Sequence, residues 1–330
     1  MASAQLEWQE VATDPSERPT LPRSGHSAAP LPAGHAEDTI IIGGYTETAD
    51  KQREACIEAW TFLLAEKRWC AVSYAAGPVP RVRLAAQAVV VGNHLWLIGG
   101  WDPGHNKDGG AFLDDIWRLD LQDYSWQQVK PEGEALPAIS RFQAAAVSQK
   151  IYIHTHRSID DILVLDVASP DAPMLAKVGV TGEAGTPPSR GLHTLTAVGG
   201  KLYLFAGAPQ RGGMLADLWV LDLASMQWRQ LRPEGAQPHV RCSQTAAAVG
   251  DQIYYHGGSY YREDGSGLQP LDDNFGTAAE GGAAEEQEEE AATPPRRRLQ
   301  PAEGVTDDSP AELLTCDYSG LEDHIPVSER

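Results

Sequence analysis

The chain has 330 residues, a formal net charge of −20 and 42% hydrophobic residues, nine tryptophans among them. That length holds two ordinary domains or one large all-β domain, and the acidic balance excludes a generally basic, nucleic-acid-binding surface despite the Arg296–Arg298 run. No apolar run reaches the ~18 residues of a membrane span, MASAQLEWQE has no signal-peptide core, and Cys56, Cys70, Cys242 and Cys316 are scattered without zinc spacing; a monomer with reduced thiols in the cytoplasm or nucleus, not inserted in a membrane, is expected.

In chain order, the first predicted element is LEWQEV (6–11), a Trp followed by polar residues and an apolar one, then a turn. The same pattern closes longer units later, as YSWQQVKPEGEALP (124–137) and MQWRQLRPEGAQPH (226–239). After it come an Arg-led strand of small residues at RSGHSAAP and an apolar strand ending in two glycines at TIIIGG (39–44). A strand carrying Trp60 and a further one carrying Trp69 complete the unit.

The second unit repeats this order as RLAAQAVVV, LWLIGG (95–100), DDIWRLDL (114–121) and the strand of Trp126. The third is degenerate: RFQAAAV, IYIHTH (151–156) and DDILVLDV (160–167). The fourth runs RGLHTLTAV, LYLFAG (202–207), ADLWVLDL (216–223) and the strand of Trp228. A fifth opens with RCSQTAAAV and IYYHGG (253–258), and its third strand is read far downstream in ELLTCDYSG (312–320). Arg83, Arg190 and Arg241 each stand 17 residues before the last Gly; Arg23 stands four further away across PLPAGHAED, and Arg141 is two out of register.

Seven of the nine tryptophans occupy the two repeat positions, a regularity that marks a true internal repeat. Each ~50-residue unit contains four short β-type runs separated by Gly- and Pro-containing turns, with no helical apolar period. Such a unit cannot bury both faces alone, so units must stack, and radial stacking gives a β-propeller.

The ordered Arg, Gly-Gly, Asp-x-Trp and Trp resembles the kelch repeat, from residue 5 to about 275 and again at 312–318. The resemblance implies an all-β propeller of about five four-stranded blades, with strands a to d running from the central channel outwards. Residues 1–275 and 312–320 are then one propeller, and LEWQEV supplies the missing outermost strand of blade five. That closes the ring and removes sheet edges. Residues 276–311, Glu-, Ala- and Pro-rich, read as a disordered insertion in blade five, the stretch 276–312 carrying seven excess negative charges, and 321–330 as a tail.

In this fold the b–c and d–a loops share one face. The long insertions 45–57, 101–113 and 259–311 all fall in b–c loops, which makes that face the expected binding surface for an unidentified protein partner. Arg23, Arg83, Arg141, Arg190 and Arg241 begin the innermost strands; they either ring the channel mouth and hold an anion, or pair with a neighbouring Asp such as Asp115, Asp161 or Asp217, or with loop carbonyls, to hold blades together. Trp101 and His105 are the binding candidates of the second insertion, where Asp102, His105 and Asp108 form either a metal site or a solvated polar loop.

His26 and His193 share a repeat position with Ala86 and Gln244, which suits packing, and His154 and His256 are expected to face the core. P-loop, GxGxxG, GxSxG and HExxH motifs are absent. The Glu, Asp and His series of nitrile-specifier-like kelch proteins, the copper ligand set of galactose-oxidase-like ones and a BTB domain are absent too. The expectation is a non-enzymatic binding scaffold without metal or cofactor; the alternative is a specifier-like lyase acting at the channel mouth.

Overall fold

The computed structural model describes residues 23–35, 37–47, 53–104, 110–262 and 267–280. They form five main, largely antiparallel sheets in series and three small two- or three-stranded ones, and no helix occurs among them. Sheet two shows the plan: Gln87–Val91, His94–Ile98, Ile116–Asp120 and Trp126–Val129 lie side by side in chain order, from strand a to strand d. Sheet one is Ser27–Pro30, Thr39–Ile42, Ala59–Leu63 and Arg68–Ala71, with the longer a–b connection expected from PLPAGHAED.

Sheets three and four keep the order and gain a fifth, parallel strand. Glu132–Gly133 borders Met174–Gly179, and Thr181–Gly182 borders Gln227–Leu231. In each case the chain leaving one sheet edges the outermost strand of the next.

Apolar side chains from facing sheets interdigitate in four clusters, which is why the units hold only as a stack. Ile40 and Ile42 of sheet one meet Leu95, Leu97 and Trp117 of sheet two. Trp96 and Ile98 meet Ile151, Ile153 and Leu165 of sheet three. Ile162 and Val164 meet Leu204, Trp219 and Trp228 of sheet four, and Tyr203 and Phe205 meet Ile253 and Tyr255 of sheet five. The strands alternate between two neighbours and so bury residues on both faces.

A line of backbone hydrogen bonds joins neighbouring sheets just ahead of their a strands. Ala85 donates to the Gly25 carbonyl (2.9 Å), Arg141 to Ala85 (3.3 Å), Leu192 to Arg141 (3.0 Å) and Ser243 to Leu192 (2.9 Å). All five residues are left-handed, with φ between 49° and 66°, and in all but Gly25 this is an uncommon conformation for the side chain they carry. Among the described residues no bond joins Ser243 to Gly25.

Two expectations are corrected here. Strand c of sheet five is Asn274–Ala278, paired along Gln252–His256, so the place read for residues 312–320 is already filled. The acidic insertion was read to start inside that strand; its residues 281–311, the tail and LEWQEV lie outside the described residues. His256 is also not a core residue: it is exposed and contacts Asn274 at 2.8 Å, on a face of sheet five that no described sheet covers.

Candidate binding face

Each long b–c insertion folds as a small hairpin beyond the Gly-Gly end of its strand b. These are Tyr45–Glu47 with Arg53–Ala55, Trp101–Asp102 with Ala111–Phe112, and Ser259–Tyr261 with Leu268–Pro270. The insertion of sheet five therefore spans a short loop and not the whole acidic stretch. The second glycine permits the turn: a Cβ on Gly100 would lie 2.9 Å from the Leu84 carbonyl oxygen, and one on Gly207 2.8 Å from that of Gly191, both at positive φ.

Beneath these hairpins sits the arginine network. Arg83, Arg190 and Arg241 are at most 1% exposed. In each, Nη1 donates to the carbonyl 16 residues on, at Gly99 (2.9 Å), Ala206 (3.0 Å) and Gly257 (2.8 Å). In each, Nη2 donates to an Asp: Asp115 (3.0 Å), Asp217 (2.8 Å) and Asp273 (2.8 Å), with Nη1 completing a bidentate pair.

The indole N–H of Trp117 and of Trp219 donates to the same carboxylates at 2.7 and 2.6 Å, and Phe275 takes that place under Arg241, 5.3 Å from the guanidinium. Burial alone would raise the carboxyl pKa values of Asp115 and Asp217. The arginine hydrogen bonds and charge, with the indole, outweigh it and hold both below the usual range. At Asp273 the Arg241 hydrogen bond is the main cause of the same lowering.

This geometry decides between the two readings of the arginines. Groups so buried and bidentately paired clamp strand a, the end of strand b and the start of strand c together; they do not form an open ring of anion-binding cations. Arg23 is a weaker copy, contacting the Gly43 carbonyl (3.3 Å), the Cys56 thiol (3.6 Å) and Glu58 (3.4 Å).

Arg141 is not a copy at all. It takes the left-handed place of Ala85 and Leu192, and Ile139, 1% exposed, stands where the clamp arginine would be. The Ile139 carbonyl accepts from Gly100 as those of Arg83 and Arg241 accept from Gly44 and Gly207. Sheet three has thus exchanged the polar clamp for an apolar one, with Leu163 in the tryptophan position.

The other candidates separate. Trp101 is half-buried and bridges Leu84, and Asp102 is buried and accepts from the Gly104 N–H at 2.9 Å. His105 and Asp108 lie outside the described residues, among which no group of three His, Cys, Asp or Glu side chains is placed to hold a metal. His193 is buried as expected and meets His154 across sheets three and four, Nε2 to Nδ1 at 3.1 Å. Burial, then the Arg190 charge, lowers the pKa of His154 to about 3. His26 is exposed, on a face of sheet one that no described sheet covers.

What the sequence reading missed is the apolar character of the loops. Val79, Phe112, Ile159, Val240 and Tyr261 are 37–56% exposed, and all sit in b–c or d–a connections. Of the other large exposed apolar side chains, Leu64, Met174 and Val249 sit at the opposite strand ends and Tyr254 lies within strand b of sheet five. The signal was present in the loop sequences, but exposure cannot be counted before the hairpins are placed.

Comparison with known proteins yields a match to the model described as KLHDC2/KLHL20/DRC7 Kelch-repeats domain, over residues 1–172 and 157–298. The human Kelch domain-containing protein 3 is 26% identical over 266 residues, covering 74% of this chain and 63% of that protein. The Caenorhabditis elegans Host cell factor homolog hcf-1 is 24% identical over 280 residues, 77% of this chain and 33% of the relative. Acyl-CoA-binding domain-containing protein 5 of Arabidopsis thaliana is 26% identical over 238 residues, 66% and 34% respectively. The chain thus spans less than two thirds of the length of these relatives.

Proposed function

The chain belongs to the kelch-repeat family, and we propose that it is a binding scaffold: its sheets are the blades of one five-bladed propeller, and a partner protein docks on the b–c loop end. The observation that carries the reading is the set Val79, Phe112, Ile159, Val240 and Tyr261, exposed apolar side chains on connections at that end. Scattered exposed leucines and valines need no explanation, but apolar and aromatic groups gathered on loops over a rigid base are the usual anchors of a protein interface. The buried clamps supply that base. The free thiols of Cys56, Cys70 and Cys242 support a reducing compartment, cytoplasm or nucleus, as the place of action.

The test is capture of partners from an extract of the source organism by three forms of the full chain. A protein retained by the unaltered chain is expected to be lost from the Phe112→Ser, Ile159→Ser, Tyr261→Ser triple variant and kept by a Leu64→Ser, Val249→Ser control. Loss from the control alone, or a stoichiometric metal or a saturable small-anion stabilisation of the purified protein, would contradict the scaffold reading.

A further inference from the structure

Sheet one carries the incomplete copy of the clamp. In sheets two, four and five the clamp carboxylate belongs to Asp115, Asp217 or Asp273 and lies 2.8–3.0 Å from Nη2 of its arginine. In sheet one Glu58 holds that place. Its carbonyl accepts from the Gly43 N–H as that of Asp115 accepts from Gly99 and that of Asp273 from Gly257. One methylene longer than Asp, the Glu58 side chain turns outward, is 68% exposed, and reaches Arg23 Nη2 only at 3.4 Å.

Arg23 is nonetheless buried, its side chain 6% exposed. Nη1 makes only long contacts, to the carbonyls of Gly43 (3.3 Å) and Glu58 (3.4 Å) and to the Cys56 sulfur (3.6 Å). Nε has no hydrogen-bond partner among the described residues. Burying a charge is unfavourable unless it is closely paired, so this guanidinium stands to gain from an anion on its Cys56 side.

Cys56 occupies a position where the sibling sheets carry leucine. Its N–H donates to the Gly44 carbonyl (2.9 Å) as those of Leu113 and Leu271 donate to Gly100 and Gly258. The sulfur sits between Arg23 and the Gly43 carbonyl, to which the S–H donates at 3.4 Å. Cys56 is half-buried, at the foot of the hairpin of Tyr45–Glu47 and Arg53–Ala55.

We propose that Cys56 is an oxidation site, converted by hydrogen peroxide to a sulfinate that takes the clamp-carboxylate role toward Arg23. Two peroxide molecules are consumed. In the first step the thiolate sulfur attacks a peroxide oxygen, the O–O bond breaks, and the leaving oxygen takes up a proton, giving a sulfenic acid and water. In the second, the sulfenic sulfur attacks another peroxide, giving the sulfinate, a second water and a released proton. Sulfur loses four electrons, and each peroxide gains two. The sulfinate is anionic at neutral pH and presents two oxygens, which a guanidinium binds as a fork. Each oxygen projects one bond beyond a sulfur that is already 3.6 Å from Nη1. Burial raises the pKa of the reduced thiol, against the Arg23 charge, so the thiol reacts slowly and the product anion is what Arg23 stabilises. The assignment concerns the sheet-one clamp alone and does not rest on the scaffold reading.

The full-length protein and a Cys56→Ser variant are treated with hydrogen peroxide side by side, so that oxidation of methionines and the other cysteines is common to both. Peptide mass spectrometry is expected to find two added oxygen atoms on Cys56. The change in melting temperature on treatment is expected to be about 2–4 °C more positive in the unaltered protein than in the variant. Cys56 left as a thiol while Cys70 is oxidised, or an equal or more negative change, would overturn the proposal. Cys56→Asp sets a carboxylate in the same seat without an oxidant. It is expected to melt above Cys56→Asn, with the difference lost in an Arg23→Gln background. A Cys56→Asp variant that melts no higher than Cys56→Asn, or a difference that persists without Arg23, would also overturn it.

Discussion

At the scale of single residues, the clamp arginines are the clearest case of a side chain whose partner fixes its meaning. A bidentate, fully buried guanidinium cannot be exchanged for a neutral group without leaving a buried carboxylate unpaired, which costs ~3–5 kcal/mol. Arg190→Gln or Asp217→Asn should therefore lower the unfolding free energy by about that amount in urea titrations, and Arg81→Gln, an exposed neighbour, should change it little. The spacing of 17 residues from Arg to Gly was legible in the sequence because strands a and b have constant length. The Asp partner of Arg241 was not, since Asp273-x-Phe275 lacks the tryptophan that marks its counterparts.

The histidine pair gives a pH dependence with a definite sign. His154 and His193 are buried, hydrogen-bonded as neutral rings, and hold pKa values below the ordinary 6.5, first through burial and then through nearby positive charge. The unfolded chain binds protons on these rings before the folded one does. Their contribution is thus full above pH ~6.5 and is lost as pH falls from there toward 3, with acid favouring the unfolded state. A His154→Gln, His193→Gln variant should show a shallower loss of stability between pH 6.5 and 4.5 than the unaltered chain; identical slopes would contradict this.

At the scale of elements, sheet five shows where reading the sequence stopped. Asn274–Ala278 contains two small residues and no Trp, and it borders a run of Gly, Ala and Glu, so its alternation is too weak to stand out from low-complexity chain. Pairing along Gln252–His256, and the clamp from Arg241, make it a strand. Replacing 281–311 with a short Gly-Ser linker should leave the melting temperature within a few degrees, while a deletion that extends back to 274 should abolish cooperative unfolding. The Gly-Gly positions, by contrast, were legible and have a steric reason. Gly207→Ala sets a Cβ 2.8 Å from both the Gly191 carbonyl oxygen and His193 Cβ at φ +106°, and should cost ~1–3 kcal/mol in the same titration.

At the scale of the whole molecule, the fold class and the end of the sheets that carries the long loops could be read from the repeat alone, because strand period and turn chemistry recur at fixed spacing. The chemistry of that end could not. The sequence left the arginines either as an anion-holding ring or as structural pairs; the structure buries three of them and exposes apolar side chains on the loops. The proposed function is a division of labour, with charged clamps inside and apolar anchors outside. Hydrogen exchange of the purified complex with its captured partner tests that division most directly. The account predicts slowed exchange at 110–113, 155–160 and 259–262, with the c–d turns around Leu64 and Gln122 unchanged; slowing confined to those turns would contradict it.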